Sequence, residues 1–345
     1  MYVLTHVTGI YVFDENFNLK ERIPLDLTVD EVLKIKEGKA IEKEKKIYEE
    51  LKKKYDELIY LGPKREGLDL KFDDDPKKIN KAMEVIRKTV KREEWNKVQE
   101  LMVSVTRKEI SKSVTSDLLI IQAINALDDL NRIINLMIER FREWYGLYAP
   151  EVEMLIEDHE KLVELAMSKT REEIMKELGI KETMGGELSE KEIEMLKEYA
   201  KRIKELYELR KKLIEYIKEM MEKVAPNVTA VAGPLVGARL ISLAGSLRDL
   251  AMLPASTIQV LGAEKALFRH LRKGSPPPKH GVLFNHPYVQ RLPKKLRGRM
   301  ARTLAAKIAI AARVDAFSPG KYIGDKLKKM IDERFEQLKK EAGKS

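Results

Sequence analysis

The sequence predicts a mainly α-helical protein in three parts. These are a small N-terminal α/β domain over residues 1–117, a central antiparallel coiled coil over 118–224, and an all-helical C-terminal domain over 225–345. Three observations predict it. The first 25 residues alternate strand-forming and turn-forming stretches. Two later segments, about 117–145 and 189–224, repeat apolar residues at spacings of three and four. Between Gln259 and Arg313 there are thirteen lysines and arginines against one acid, Glu264. The whole chain carries only +10, so everything outside that window is slightly acidic. Positive charge this concentrated is the electrostatic footprint of a polyanion partner, nucleic acid first among candidates.

In the N-terminal part, Tyr2–His6 and Gly9–Phe13 have strand composition, and the turn cluster 14–18 leads into a third run, 19–25, making a β-hairpin. Thr28 ahead of Asp30 and Glu31 marks a helix start. Residues 41–58 read as a charged amphipathic helix, 58–61 as a strand stopped by Gly62-Pro63, and 79–89 and 93–105 as helices. Nothing here has catalytic spacing: the only histidine before residue 117 is His6, and there is no glycine-rich phosphate loop.

In the first long helix, Ile120, Ala123, Leu127, Leu130, Ile134, Met137, Phe141 and Trp144 form an unbroken seam. At about 1.5 Å per residue it is roughly 40 Å long. The second carries Leu196, Tyr199, Ile203, Leu206, Leu213, Ile217, Met220 and Val224, with Arg210 interrupting one seam. Ser189 and Glu192 make its capping box. The two are expected to pair as an antiparallel coiled coil, with residues 150–188 forming an irregular tip broken by Pro150, Gly179 and Gly185-Gly186. Seams that satisfy each other favour an internal spacer slightly over self-association.

Pro226 closes the second long helix, and residues 228–253, rich in Ala, Gly and Leu, predict tightly packed short helices. GPLVGARL lacks the spacing and the preceding strand of a dinucleotide fingerprint. The basic window reads as two helices around a rigid joint. The first, opened by Gly262, ends at Gly274, a C-cap position. Leu267, Phe268 and Leu271 are expected to bury it, while its N-terminus offers free N–H groups to anions and Lys265, Arg269 and Lys273 or Arg272 follow along it. Ser275 and three prolines then impose an extended segment, Lys279-His280-Gly281 a turn, and residues 282–284 an apolar anchor. A second helix is expected from Pro293 to about 317. On it Lys295, Arg299, Arg302 and Arg313 fall in one stripe opposite Leu296, Met300, Leu304, Ile308, Ala311 and Val314. Lys307 lies inside the apolar arc and either snorkels or pairs with a buried acid such as Glu264. After Lys321 an amphipathic helix follows, fraying over 339–345.

The composition excludes several functions. With no cysteine there is no disulfide, thiolate metal site or thiol nucleophile. No apolar run has membrane-spanning length and no signal-peptide pattern is present, so an intracellular, soluble protein is expected. His270, His280 and His286 are spaced by ten and then six positions across a proline run, which does not put two imidazoles on one helical face; no metal site, cofactor or catalytic set is expected.

The run GAEKALFRHL…PPPKHGVLFNHP…RGRMARTLAAKIAIAARVDAFSPG resembles the Nop domain of archaeal and eukaryotic box C/D ribonucleoprotein core proteins. The resemblance extends upstream through VAPNVTAVAGPLVGARLISLAGSLRDLAMLPASTIQVLG and IIQAINALDDLNRIINLMIERFREWYGLYAPE, covering most of 118–320; residues before about 115 match weakly. It implies a non-catalytic scaffold, cytoplasmic in an archaeon and nucleolar in eukaryotic counterparts. The C-terminal domain would hold box C/D guide RNA together with a ribosomal-protein-like kink-turn-binding protein. The coiled coil would self-associate, and the N-terminal domain would dock the methyltransferase fibrillarin. Carried onto this sequence, it makes Gln259, Lys265, Arg269, His270, Lys279, His280, Arg299 and Arg302 RNA-facing; the charge map adds Lys273, Arg291, Lys295 and Arg313. A general RNA-binding protein without a role in methylation is the alternative.

Overall fold

A computed structural model of the chain describes residues 1–343. It forms two compact units, Met1–Val114 and a second beginning at Thr115.

In the first unit, β1 (Tyr2–His6) and β2 (Gly9–Phe13) pair antiparallel with Val3 opposite Val12, and β3 (Leu19–Ile23) adds antiparallel to β2. The Asp14 carboxylate makes the turn by accepting from the N–H groups of Asn16 (3.0 Å) and Asn18 (2.8 Å). A capping box of Thr28 and Glu31 starts α1 (Val29–Lys36). Then come α2 (Glu42–Lys54), β4 (Ile59–Leu61), β5 (Lys71–Asp73), α3 (Pro76–Thr89) and α4 (Arg92–Ser113). The sheet order is β3-β2-β1-β4-β5, with β4 parallel to both β1 and β5. Strand β5 was not expected: three residues, two of them charged, leave no alternation to detect. The alternation of strand side chains builds two cores. Val3, Ile10 and Val12 pack with Leu33, Leu51 and Val105 on one face, and Leu4, Tyr11 and Phe13 with Ala82, Ile86 and Val90 on the other.

One ion pair lies wholly inside this unit. The side chains of Glu44 and Arg65 are 0% and 3% exposed. Arg65 Nη1 donates to Glu44 Oε1 at 2.7 Å and to the Tyr60 hydroxyl at 2.8 Å, and the Thr5 hydroxyl donates to the same carboxylate.

The second unit opens with α5 (Ser116–Tyr148), α6 (Pro150–Leu155), α7 (His159–Ser168), α8 (Arg171–Leu178) and α9 (Glu190–Val224), the last started by the Ser189–Glu192 box. Helices α5 and α9 are antiparallel. Ile120 and Leu127 share a core with Ile217 and Met221, while Ile134 and Phe141 share another with Leu196 and Ile203. Residues 150–188 are more regular than the breakers implied. Helix α7 lies along α9, with Glu160 paired to Lys211 and Glu164 to Lys204, and buries Leu162, Val163 and Ala166. Those three residues hold helical spacing, which the flanking Pro150 and Gly179 obscured.

The remaining helices are α10 (Pro226–Ala232), α11 (Pro234–Ala244), α12 (Leu247–Met252), α13 (Ala255–Val260), α14 (Glu264–Lys273), α15 (Pro287–Gln290), α16 (Lys294–Phe317) and α17 (Gly324–Gly343), with a 3-10 turn at Val282–Asn285. Helices α10 and α11 meet at a 115° bend, and no single described helix is long and apolar enough to cross a membrane. Gly237 permits α11 to approach α9 and α10 closely: a Cβ there would lie 2.8 Å from the Met221 methyl and 3.1 Å from a Val228 methyl. One core runs from Ile120 and Met221 through Val228, Leu304 and Ile331, so position 225 lies inside a continuous core. Helix α17 stays helical through Gly343, where fraying from 339 was expected; Lys344 and Ser345 lie outside the described residues.

Two outcomes follow for the first unit. Arg65→Met strands a buried carboxylate and should destabilise the unit by about 3–5 kcal/mol in urea unfolding, while replacing both partners with apolar residues should cost less. Hydrogen bonds from Asn18 hold the Asp14 carboxyl at about 2, below its ordinary 3.8. A depressed carboxyl stabilises the fold above its unfolded pKa and loses that contribution as pH falls through the folded one. Stability measured by thermal unfolding should therefore drop between about pH 4 and pH 2, and Asp14→Asn should remove part of that dependence.

Candidate nucleic-acid interface

Helix α16 carries the interface because its two sides have opposite chemistry. Met300, Leu304, Ile308 and Ala311 are fully buried, whereas Lys295, Arg299, Arg302 and Arg313 are exposed. The loop after α14 is fastened onto this helix. Lys279 lies across Gly298, where a Cβ would stand 3.2 Å from that of Lys279. The Gln259 amide donates to the Lys279 carbonyl at 2.8 Å, and the Gly281 N–H donates to the Gln259 carbonyl at 3.0 Å. His270 Nδ1 meets the Ser275 carbonyl, tying the start of the loop to α14. Gln259 and His270 therefore hold the loop, rather than simply reaching outward.

Among the described residues between Gln259 and Arg313, one cation is paired with a carboxylate: Arg299 Nη2 donates to Glu341 of α17 at 3.2 Å, and Nη1 donates to the other oxygen. Arg313 Nε donates to the Ala251 carbonyl at 3.1 Å. Lys265, Arg269, Lys273, Lys279, Arg291, Lys295 and Arg302 are exposed. Arg297, not singled out from the sequence, is half-buried, its Nε donating to the Leu292 carbonyl at 2.9 Å.

One expectation needs correction. Helix α14 buries none of its residues; Phe268 is 57% and Leu271 69% exposed, because no described element packs extensively against that helix. Just before its first turn, Glu264 Oε1 accepts from the Gly262 N–H at 2.6 Å, while Ala263 at the cap position makes no side-chain bond to the first-turn N–H groups. Of the two alternatives for Lys307, the structure shows the snorkel: it passes beside Met330, with Nζ 3.4 Å from the sulfur.

The three histidines do different work. His286 is buried, which depresses its pKa, and its Nδ1 accepts from the Tyr288 N–H at 3.2 Å. His280 stacks on Phe284, and burial first, then the Arg297 charge, lowers its pKa. Among the described residues no group of three or more acidic or histidine side chains is arranged to hold a metal ion.

A helical unit that buries one side of a long helix and leaves a dense, mostly unpaired cationic surface on the other belongs to the polyanion-binding helical class. The family model described as Nop, snoRNA binding domain, fibrillarin, matches residues 126–337, and that of the archaeal Nop5/56-related N-terminal domain matches residues 1–60. The chain belongs to the Nop family. It is 43% identical over 266 residues to a NOP5 family protein of Methanocaldococcus jannaschii, covering 72% of this chain and 64% of that protein. It is 37% identical over 242 residues to human nucleolar protein 56, covering 64% of this chain and 41% of that one. The chain thus spans less than two-thirds of the length of these relatives. A chain in the crystal structure of a fibrillarin/Nop5p complex is 28% identical, covering 79% of this chain and 95% of that one, with a TM-score of 0.42.

Two glycines of the loop predict different costs. A Cβ at Gly281 would lie 1.9 Å from the Leu261 carbonyl oxygen, so Gly281→Ala must displace backbone and should cost about 1–3 kcal/mol, as overpacking does. Gly274 has φ 65° and open space around it, so Gly274→Ala should cost only about 1–2 kcal/mol of left-handed strain. Denaturation midpoints of the two variants, with hydrogen exchange across 274–281, check this; loop exposure should increase with Gly281→Ala.

Proposed function

We propose that the chain is a non-catalytic scaffold of a box C/D ribonucleoprotein. Residues 225–345 hold guide RNA together with its kink-turn-binding protein, the paired helices of 118–224 self-associate, and residues 1–117 dock fibrillarin. Methyl transfer to RNA 2′-hydroxyls belongs to fibrillarin, and the scaffold contributes positioning, which can be worth many powers of ten in rate. In an archaeal cell the assembly is cytoplasmic.

The observation that carries this reading is the state of the cations. Guanidiniums and ammoniums held on a rigid helix and left without carboxylate partners are ready to exchange water and counterions for phosphates. Membership of a family described as snoRNA-binding gives the polyanion its class. RNA contacts are assigned to Lys265, Arg269, Lys273, Lys279, Arg291, Lys295 and Arg302 as exposed groups. Arg299 joins them after releasing Glu341, and Arg313 while keeping its carbonyl bond. Gln259, His270 and His280 set the loop that presents Lys279.

Gel-shift reconstitution tests it, adding guide RNA, kink-turn protein and fibrillarin in turn. Lys295→Gln with Arg302→Gln should reduce the slope of log affinity against log salt by about two and leave thermal unfolding unchanged. The corresponding glutamate pair should abolish assembly yet keep fibrillarin binding. Equal binding to bare RNA without the kink-turn protein favours the general RNA binder. Methyl incorporation from labelled S-adenosylmethionine without fibrillarin overturns the scaffold.

A further inference from the structure

Phosphate contacts leave one part of the interface without a use. Leu283 anchors the 3-10 turn by complete burial, but the next residue, Phe284, is 37% exposed. Its ring carries two flat neighbours. The His280 imidazole stacks on it, with centroids 5.1 Å apart and planes 23° apart. The Arg297 guanidinium carbon lies 5.4 Å from the same ring centroid. All three are held before any ligand arrives. Arg297 is pinned by the Leu292 carbonyl at 2.9 Å and the Gln290 carbonyl at 3.4 Å. The backbone around His280 is pinned by Gln259 and by the close contact of Gly281 with Leu261. His280 and Arg297 are themselves only half-buried.

Free cations flank this group. Lys279 lies on Gly298, the neighbour of Arg297, and Lys294 stands one helical turn before Arg297 on the same side of α16. Both lysines are exposed and have no carboxylate partner among the described residues. Burial and Arg297 hold the His280 pKa below its ordinary 6.5, so near neutral pH the ring is an uncharged aromatic surface.

We infer that His280, Phe284 and Arg297 form a shelf on which an unpaired base of the bound RNA stacks, with the phosphates on either side taken by Lys279 and Lys294. This rests on the RNA reading above and deepens it, since it names which part of the RNA is touched. A paired base has both faces covered by its neighbours, so the shelf selects a looped-out or single-stranded nucleotide. Every base has a π-face, so the contact tolerates sequence and selects flexibility. Rigid presentation matters because a pre-ordered stack loses little side-chain entropy on binding.

The test uses the full chain with a kink-turn RNA already bound by its kink-turn protein. The RNA carries 2-aminopurine at each unpaired position in turn, and a fully paired RNA of equal length is the comparator. One labelled position should be quenched by the wild-type chain. Phe284→Leu should lose that quenching and bind roughly five- to hundred-fold more weakly, the range for losing one stacked base. Its salt slope should be unchanged, because no phosphate contact is removed. Phe284→Tyr, which keeps the ring, should behave as wild type, and Lys294→Gln should lower the slope by about one while keeping the quench. Thermal unfolding of each variant separates lost folding from lost stacking. Unchanged affinity of Phe284→Leu, or quenching at no position while binding is intact, overturns the shelf. So does an equal loss of affinity for the isolated kink-turn protein, which would make Phe284 a protein contact. Failure of wild type to bind any of these RNAs removes the RNA reading itself, and the shelf with it.

Discussion

Helix α16 has to bury one side completely. Met300, Ala301, Leu304, Ala305, Ile308, Ala309, Ala311 and Ala312 are all at most 4% exposed, and α10, α12, α13, α15 and α17 pack against the helix. The alanines let those neighbours approach closely, and the larger residues fill the spaces between them. With about 100° between successive side chains, that commitment leaves Lys295, Arg299, Arg302 and Arg313 nowhere to go but outward. The rest of the interface is built on this one helix. Gly298 makes the gap that receives Lys279, and the Arg297 guanidinium lies over the Phe284 ring of the 3-10 turn.

The helix is fixed at its far end by a polar clasp. Asp315 accepts from the N–H groups of Asn227 (3.1 Å) and Val228 (2.9 Å) at the start of α10. The fully buried Asn227 side chain donates to Asp315 and to the Lys321 carbonyl, and its oxygen accepts from the Ile323 N–H. Burial pushes the Asp315 carboxyl pKa up despite these donors. One carboxylate thus supplies the missing cap of α10, while Asn227 sets where α17 begins, a satisfied network of the kind that specifies a unique packing.

Charge is distributed by the same logic of what can pair. The first unit and the long helices carry many exposed ion pairs, such as Lys36 with Glu109 and Arg202 with Glu205. Such pairs contribute only about 0–1 kcal/mol each. Leaving the cations around α14 and α16 without partners therefore costs little stability. It keeps them available to a polyanion, and Glu341 on Arg299 is a weak, exposed exception.

Much of this was legible in the residues, and the gaps have physical causes. Turn and cap chemistry is local, so Asp14, Thr28, Ser189 and Gly274 marked their elements correctly. The seam of α5 appeared because burial repeats with the helical period. Strand β5 and helix α7 were missed because their burial comes from partners rather than from a long pattern of their own. By itself the sequence determined that the long helices α5, α9 and α16 form, which face of α16 is apolar, and that the positive charge gathers in one window. Only the tertiary structure decided that Gln259 and His270 brace the loop, that Phe284 stays exposed and that Lys307 passes Met330. Helical period and capping depend on neighbours a few positions away, whereas exposure and pairing depend on which distant segment arrives alongside.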